Sequence, residues 1–325
     1  MKCFVTGGAG FIGSHLVDRL VKDGHGVVVY DNLSLGREEF ISRHFGSGRF
    51  RFVNGDLLDS RSLAAAMKGS DIVFHLAANS DIIKSAKDTR IDLEQGTIAT
   101  YNVLEAMRGN GVKKIVFTSS NVVYGEAKKL PIPEDYGPLF PISMYGASKL
   151  ACEALISAFC HNFGFKAWIY RFANVIGSRV THGVMLDFYR KLLRDSRELE
   201  VLGDGKQSKP YILVDDIVDG MLFGMAHSSE DVNYFNLGTE GMTLVSRIAD
   251  DVIRAAGLRG VKVRFTGGVR GLPGDVARVS LDMGKLTALG WRPRCGSSDE
   301  AMREGVRAIV AELGKSLGPV KGKTI

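Results

Sequence analysis

Apolar runs of strand length alternate with helical patterns through the first half of the chain. The runs fall at Lys2–Thr6, 27–30, 50–53, 71–76, 113–118 and 167–172. Helical periodicity occupies several of the intervals between them, at Phe11–Lys22, Ser60–Met67, 97–108 and 145–162. Repeated β-α-β units of this kind predict an α/β protein with a Rossmann-type, doubly wound parallel sheet.

The pattern becomes less regular after residue 175. Helical periodicity returns at 185–194, 214–225 and 299–313, and strand-like runs occur at 234–237 and 261–265. Thr243 is placed to cap a helix that reaches residue 256, and 314–325 has the composition of a loose basic tail. We predict a first domain over 1–175, joined by a returning segment near 211–240, and a smaller C-terminal α/β domain over 176–325.

Composition narrows the class of protein. The 325 residues include 45% hydrophobic and 24% charged residues, which is ordinary for a globular chain with a large core. No apolar run is long enough to span a membrane, and the first residues lack a signal-peptide pattern. The cysteines are scattered without a CxxC pair, which predicts reduced thiols of a cytoplasmic protein, with neither disulfide nor metal site (Cys3, Cys152, Cys160 and Cys295).

The net charge of +6 is dispersed along the chain. No helix carries the dense basic stripe typical of nucleic-acid binding. Small anionic ligands, or a mild surface bias, account for the charge equally well. We expect neither a nucleic-acid nor a membrane partner.

A glycine-rich segment follows the first predicted strand and opens the first predicted helix. It reads Gly-Gly-Ala-Gly-Phe-Ile-Gly over residues 7–13 and contains GxxGxxG at Gly7, Gly10 and Gly13. The first glycine permits a tight turn, the second lets the backbone approach a pyrophosphate, and the third lets helix and strand pack closely. The helix N-terminus then faces the anionic phosphates, which predicts a dinucleotide site.

Asp31 ends the second strand, 18 residues after Gly13. A carboxylate there accepts hydrogen bonds from adenosine ribose hydroxyls and repels a 2′-phosphate, which favours NAD over NADP. The alternative is that Asp31 only caps a turn with Asn32. Asp56, after the third strand, has two interpretations of nearly equal weight, an adenine contact or a simple turn residue.

Tyr145 and Lys149 form a YxxxK motif at the start of a predicted helix, on one face and one turn apart. A neighbouring ammonium favours the tyrosinate, so Tyr145 would exchange protons near neutral pH. The preceding strand ends in Thr118-Ser119-Ser120, at the sheet edge where ligands bind in doubly wound folds. We favour Ser120 over Ser119 as the hydroxyl that shares a proton with Tyr145. The alternative is that these hydroxyls only satisfy backbone groups.

These residues together resemble the extended short-chain dehydrogenase/reductase family. Within it the nearest group is the nucleotide-sugar 4-epimerases, above all those acting on UDP-glucose and UDP-galactose. The resemblance covers nearly the whole chain and is carried by an ordered set of motifs: TGGAGFIGSHL, VVYDNLS, GDLLD, HLAA, FTSSNVVYG, YGASK, RFANVIG, LGDGKQ and PGDV.

The resemblance implies an NAD-binding first domain and a mainly substrate-binding second domain. It assigns catalysis to Ser120, Tyr145 and Lys149. Cofactor contacts are expected at Gly7, Gly10, Phe11, Ile12, Gly13, Asp31, Asn32, Asp56, Leu57, Leu76, Ala77, Ala78, Tyr145, Lys149 and Phe172. Contacts to a UDP-hexose substrate are expected at Ser120, Tyr145, Asn174, Gln207, Lys209, Arg270, Asp275 and Val279. The family often forms homodimers, and the helices predicted at 97–108 and 145–162 could supply the contact; a monomer is the alternative.

Departures from the family pattern concern the diphosphate. Lys209-Pro210 stands where Arg-Asp is usual, and lysine lacks the bidentate fork of arginine. Leu272 replaces another phosphate-binding arginine, a loss that Arg270 or Arg278 could cover, although each could equally be a surface charge.

Two further departures concern the sugar side. Gly96 stands where an asparagine is common, and Gln95 could replace it. Val279 stands where a large tyrosine can block N-acetyl sugars, so a bulky C2 substituent would be tolerated unless neighbouring side chains refill the space.

Alternative functions remain open at this stage. A 4,6-dehydratase needs an extra acid and base where this chain has Ser119-Ser120-Asn121, so it ranks low. A 4-epimerase of UDP-glucuronate or of a UDP-N-acetylhexosamine, or a sugar-nucleotide reductase, is the main competitor. A non-enzymatic NAD-binding sensor or scaffold would dispense with Tyr145 or Lys149, and both are present.

Overall fold

The computed structural model describes residues 1–79, 82–268 and 279–320. Its strands are β1 (Lys2–Thr6), β2 (Gly26–Asp31), β3 (Phe50–Asn54), β4 (Ile72–His75), β5 (Lys114–Ser120), β6 (Lys166–Phe172), β7 (Asn174–Ile176), β8 (Glu198–Val201), β9 (Ser208–Lys209), β10 (Tyr211–Leu213), β11 (Val232–Leu237), β12 (Thr243–Leu244) and β13 (Lys262–Phe265). Its α-helices are α1 (Phe11–Lys22), α2 (Ser60–Met67), α3 (Ile82–Lys87), α4 (Arg90–Asp92), α5 (Ala99–Asn110), α6 (Met144–Phe163), α7 (Val184–Arg194), α8 (Val214–His227), α9 (Val245–Ala255), α10 (Gly284–Ala288) and α11 (Ser298–Ser316).

Seven strands form one parallel sheet in the order β11-β6-β5-β4-β1-β2-β3. The order reverses direction beside β1, so the crossovers leave β1 toward both edges of the sheet. The predicted doubly wound parallel sheet is confirmed. The predicted return of the segment near 234–237 is confirmed as well, because β11 pairs with β6 at the sheet edge.

The sheet is buried on both faces, as its apolar strands require. Alternate residues of β1 belong to different core clusters, Cys3 and Val5 to one and Phe4 to the other. Helices α1 and α8 supply the first cluster, whereas α2, α5 and α6 supply the second. Helices therefore cover both faces of the sheet.

A third core cluster lies among the later elements. It joins α7, α9 and α11 to β8 and β10. Gly305 of α11 lies against Ile176, where a Cβ at Gly305 would come within 2.5 Å of the isoleucine side chain. This close approach packs α11 tightly against β7, which does not belong to the main sheet. The assignment of 1–175 and 176–325 as cofactor and substrate domains stays a prediction.

Three expectations about local structure need correction. Thr243 does not cap a helix, since it lies in β12 and its hydroxyl bonds the side chains of Ser298 and Asp299 of α11. The last helix extends to Ser316, beyond the predicted start of a loose tail. The helix expected at 97–108 is preceded by a π-helical turn, Leu93–Ile98, and α5 itself begins at Ala99.

The four cysteines are buried and none is in a disulfide. Among the helices of the described ranges, none has the length and apolar content needed to cross a bilayer.

A buried ion pair connects helix α6 to strand β6. The guanidinium of Arg171 donates to both carboxylate oxygens of Glu153, at 3.0 and 2.7 Å, and the side chains are 9% and 8% exposed. Ser119 donates to the same carboxylate at 2.5 Å, and Arg171 also reaches the Tyr124 hydroxyl at 3.0 Å. The pair therefore fixes the carboxyl end of β5 against α6.

We expect Glu153→Ala to lower the free energy of unfolding by about 3–5 kcal/mol, because it leaves the Arg171 charge buried without its counterion. The measurement is the urea midpoint at unchanged slope. Glu105→Ala is the matched control. It breaks an ion pair with Arg108 whose side chains are 32% and 50% exposed, so the loss should stay below about 1 kcal/mol. Equal losses in the two variants would contradict the structural role of the buried pair.

Candidate active site

The glycine-rich turn connects β1 to α1 at the carboxyl edge of the sheet. Gly7 has φ +69°, and a Cβ there would lie 2.7 Å from the backbone nitrogen of Ala77. A Cβ at Gly13 would lie 2.1 Å from the carbonyl oxygen of Gly7. Both glycines therefore keep strand, turn and helix closer together than any side chain would permit.

Helix α1 begins beside this turn without a side-chain cap. Gly10 is its N-cap residue, and its first turn contains no acidic residue. The nitrogen of Gly10 bonds the Gly7 oxygen at 3.0 Å. No side chain caps the first N–H groups of the helix, which include those of Phe11 and Ile12. Uncapped amides and the helix dipole suit a pyrophosphate. The residues present fit the phosphates of a dinucleotide.

Asp31 ends β2 beside the same turn and is 9% exposed. Its carboxylate accepts hydrogen bonds from the backbone nitrogens of Ala9, at 3.0 Å, and Leu33, at 2.9 Å. Burial raises the pKa of this carboxyl, and the two backbone donors oppose that effect. Asp31 thus both orders the glycine-rich turn and presents a carboxylate next to it, so the capping role and the ribose-binding role are compatible.

The residues expected around adenosine lie together at the ends of β2 and β3. Asn32 donates to the Asp56 carboxylate at 3.1 Å, and Tyr30 donates to the Asp56 carbonyl at 3.0 Å. Leu57 is 6% exposed, and its carbonyl accepts from Asn102 at 2.9 Å. This arrangement forms one side of a candidate adenosine site.

The loop after β4 approaches the glycine-rich turn from the other side. The nitrogens of Leu76 and Ala77 bond the carbonyl and hydroxyl oxygens of Thr6, at 3.2 and 3.3 Å. Ala78 follows in the same loop, and Phe172, 6% exposed, ends β6 farther along the sheet edge. The expected nicotinamide-side residues therefore share the carboxyl edge with the dinucleotide turn.

Lys149 is buried below this edge, at 4% exposure. Its ammonium donates to the Thr118 carbonyl at 2.7 Å and lies 5.7 Å from the centre of the Tyr145 ring. Ser143 caps α6 by accepting from the Gly146 nitrogen at 3.1 Å. The cap places the YxxxK motif in the first turns of α6, against the end of β5.

The pKa values of Tyr145 and Lys149 differ from the expectation that the neighbouring ammonium brings the tyrosine pKa toward neutrality. Burial lowers the pKa of Lys149 to about 8, against the opposing influence of Cys152, Glu153 and Asp92. Burial raises the pKa of Tyr145, and Asp92 and Cys152 raise it further. In the protein alone, Lys149 does not lower the tyrosine pKa toward neutrality. In the protein alone the Tyr145 phenol therefore keeps its proton near pH 7.

The two serines at the end of β5 have different surroundings. Ser119 is buried and its hydroxyl donates to Glu153. Ser120 is half-buried, and its oxygen accepts a long, 3.4 Å bond from the Val122 nitrogen. The Ser120 hydroxyl proton is therefore available at the sheet edge, whereas that of Ser119 is committed to the Glu153 carboxylate.

The expected substrate residues come together only in part. Asn174 in β7 bonds the Pro210 carbonyl through its side chain at 3.3 Å and through its backbone at 3.1 Å, so it adjoins Lys209. The Gln207 amide nitrogen and oxygen are buried, and no described residue hydrogen-bonds them. Val279 is 2% exposed within the sheet core, so its effect on a C2 substituent stays a prediction. Arg270 and Asp275, like Leu272 and Arg278, lie outside the described residues.

Sequence reasoning missed several buried polar residues behind the catalytic pair. Asn79 and Asp92 are 8% and 2% exposed and are hydrogen-bonded to each other at 3.0 Å. Glu153 and Arg171 form the ion pair behind Ser119. The available signal was a charged residue inside an apolar strand or helix, which usually indicates a partner elsewhere in the fold.

The chain is similar to known nucleotide-sugar enzymes over nearly its whole length. Residues 3–238 match the model of the NAD dependent epimerase/dehydratase family. A putative UDP-glucose 4-epimerase of Methanocaldococcus jannaschii is 33% identical over 94% of this chain and 96% of its own length. A crystal structure of a UDP-galactose 4-epimerase is 39% identical, with a TM-score of 0.85 over 98% of this chain and 100% of that one.

Solved relatives differ in their reactions. The UDP-glucose 4-epimerase of Thermotoga maritima, crystallised with UDP-glucose, is 33% identical, with a TM-score of 0.85 over 98% of this chain and 100% of that one. The dTDP-glucose 4,6-dehydratase of Streptomyces venezuelae, crystallised with NAD, is 28% identical, with a TM-score of 0.86 over 99% of this chain and 100% of that one. Fold similarity therefore supports NAD and a nucleotide sugar without distinguishing the reaction.

We expect Gly13→Ala to weaken NAD binding by about 10- to 100-fold. The new methyl group would meet the Gly7 carbonyl oxygen at 2.1 Å and would force the helix away from the turn, a displacement that typically costs about 1–3 kcal/mol. The measurement is the NAD dissociation constant of protein stripped of its cofactor.

Gly109→Ala provides the matched control, because Gly109 is an exposed residue of α5 and a Cβ there meets no atom within 4 Å. Its NAD affinity should equal that of the unmodified protein. Unchanged affinity in Gly13→Ala would remove the close helix–strand approach from the account of cofactor binding.

Proposed function

The chain belongs to the NAD dependent epimerase/dehydratase family, and we propose that it is a nucleotide-sugar 4-epimerase that interconverts UDP-glucose and UDP-galactose. The family membership makes it an NAD-dependent enzyme acting on nucleotide sugars. The choice of a 4-epimerase and of these two sugars is the proposal, supported by relatives named as such over nearly the whole chain.

The observation that carries the proposal is the geometry at the end of β5. The Lys149 ammonium bonds the Thr118 carbonyl, two residues before Ser120, and the next turn of α6 toward its N-terminus holds Tyr145. Phenol and hydroxyl therefore adjoin the sheet edge that the dinucleotide turn occupies. In the positions from Thr118 to Asn121 no carboxylate stands beside them, which disfavours the extra acid and base of a dehydratase.

The reaction that we propose begins with proton transfer. Tyr145 takes the proton of the sugar 4-hydroxyl, with the Ser120 hydroxyl bridging the two oxygens. NAD, when bound, would supply the hydride acceptor for C4 and, in its oxidised form, a positive charge that would lower the pKa of Tyr145. The 4-keto sugar would then turn over, the hydride would return to C4 on the opposite face, and the proton held by Tyr145 would return to the C4 oxygen.

For the 4-keto sugar to present its other face to the cofactor, the nucleotide diphosphate must stay fixed while the hexose is held weakly. The proposed nucleotide-diphosphate site includes three described residues, Asn174, Gln207 and Lys209. We also assign Arg270 and Asp275, outside the described residues, to this site. The Gln207 amide has no hydrogen-bond partner among the described residues, which supports its inclusion. Lysine supplies charge without a planar fork, so we propose that orientation comes from several contacts together.

We further propose that the enzyme is a cytoplasmic homodimer in which a second copy covers α5 and α6. Large apolar side chains are exposed on this face, at 52% for Leu93, 45% for Tyr101, 44% for Met144 and 42% for Phe163. The face is continuous, because Tyr101 of α5 packs edge-on against Phe159 of α6. A helix-on-helix contact would bury these side chains.

Internal return of hydride tests the reaction. We expect UDP-glucose deuterated at C4 to give UDP-galactose with the deuterium retained at C4, even with unlabelled NADH in the bulk solution. Substrate and product share one oxidation level, so the hydride removed must return. Mass spectrometry of the product measures retention.

Tyr145→Phe is the control, since it keeps the ring and removes only the phenolic oxygen. Turnover should fall roughly 100- to 10,000-fold while NAD stays bound. Washout of deuterium to the NADH pool, or net NADH formed in step with product, would refute the 4-epimerase proposal.

For the dimer, we expect Tyr101→Lys to convert the protein to monomers in sedimentation velocity, because it places a charge in the apolar face. Leu289→Lys is the matched control, since Leu289 is 38% exposed and lies just after α10, away from that face. A monomeric unmodified protein, or dimers that persist in Tyr101→Lys, would contradict the proposed interface.

A further inference from the structure

Asp92 ends the short helix α4 and lies against the catalytic helix. Its backbone carbonyl accepts a 2.7 Å hydrogen bond from the hydroxyl of Ser148, the residue directly before Lys149. The Asp92 side chain is 2% exposed. A carboxylate is thus buried beside the first turns of α6.

Only one of the two carboxylate oxygens of Asp92 is bonded. Oδ1 accepts from the Asn79 side chain at 3.0 Å, and Asn79 also donates to Ser85 at 2.9 Å. Oδ2 is buried, and no donor of the described chain reaches it. A buried carboxylate ordinarily collects several donors or a counterion, and this one has a single amide donor.

Other titratable groups near the pair either have partners or are uncharged near neutral pH, although Glu153 also raises the pKa of Lys149. Glu153 is paired with Arg171 and accepts from Ser119. Burial raises the pKa of the Cys152 thiol. On β4, burial lowers the pKa of His75 to about 3, and the ring bonds Thr6 and Thr100 at 2.7 and 2.9 Å. Within the described residues Asp92 makes no ion pair, whereas Glu153 is paired with Arg171, and the lysines of the neighbouring α3, Lys84 and Lys87, are exposed.

We propose that Asp92 is a positioning residue whose unneutralised carboxylate holds the Tyr145–Lys149 pair in its proton-loaded form until cofactor and sugar are bound. The inference rests on the proposed function only for the reaction that the pair performs. Asp92 itself is not a catalytic residue, since it acts through the field it exerts on two neighbours.

The sign of the effect follows from charge alone. A negative charge favours the ammonium over the amine and the phenol over the phenolate, so it raises the pKa of Lys149 and of Tyr145 together. The Asp92 charge therefore opposes the loss of a proton from either group, although burial outweighs it at Lys149. Removing the charge should lower both pKa values and shift proton release from the pair to lower pH.

The test compares Asp92→Asn with the unmodified enzyme. Asparagine keeps the shape and an oxygen for the Asn79 donor, and the replaced Oδ2 had no partner to lose. Tyrosinate formation is followed by ultraviolet difference absorbance of the NAD-loaded enzyme, with Tyr145→Phe versions subtracted to isolate this phenol. The pH profile of kcat for UDP-galactose formation is recorded in parallel.

We expect the tyrosinate titration and the acid limb of the kcat profile to move to lower pH, by about one unit. Glu94→Gln is the matched control. Glu94 lies two residues further along the chain, with a side chain 37% exposed and paired with Arg90, so its removal should shift neither curve. Asp92→Ala should give the same downward shift, whatever its effect on the maximal rate.

Three outcomes would overturn the inference: an unshifted titration in Asp92→Asn and Asp92→Ala, an equal shift in Glu94→Gln, or a lower rate without a shift. The absorbance titration needs no sugar substrate. A shifted titration in a protein that does not epimerise UDP-hexoses would therefore reject the proposed function and keep the role of Asp92.

Discussion

The ammonium group of Lys149 is buried near the end of β5, and its hydrogen bond to the Thr118 carbonyl joins helix α6 to the carboxyl edge of the sheet. Burying such a charge away from water costs free energy unless oxygen atoms accept hydrogen bonds from it. The carbonyl of Thr118, two residues before the end of β5, is one such acceptor. This bond holds the first turns of α6 against the end of β5.

The regular part of the fold could be predicted because its signals are local. Helix α1 was predicted at its observed bounds, since a glycine turn opens it and Gly24, at φ +84°, follows it. Thr243 was mispredicted because its hydroxyl has partners on α11, more than 50 residues away in sequence. A local capping rule cannot detect a competing tertiary partner. The π-helical turn before α5 likewise depends on packing against α6.

The residues of the candidate site likewise fall into those that a local motif identifies and those that only the folded chain brings together. Glycines, Asp31, Tyr145 and Lys149 stand in motifs whose spacing carries the chemistry, so the sequence identified them as candidates. The Glu153–Arg171 pair and Asp92 have no such spacing. Their importance arises from burial and from the partners that surround them, which only the folded chain brings together. The raised pKa of Tyr145 was not foreseen for the same reason, because desolvation by the surrounding protein exceeds the help expected from Lys149.

Gly96 connects a departure from the family pattern to the buried carboxylate. A Cβ at this position would lie 2.0 Å from the Ser148 hydroxyl oxygen, so any larger residue with this backbone would turn that hydroxyl away. Ser148 would then lose its bond to the Asp92 carbonyl, a buried hydrogen bond worth about 1 kcal/mol. The glycine in the π-helical turn thus permits the contact that holds Asp92 against α6. The glycine at this position and the burial of Asp92 against α6 therefore belong to one local packing arrangement.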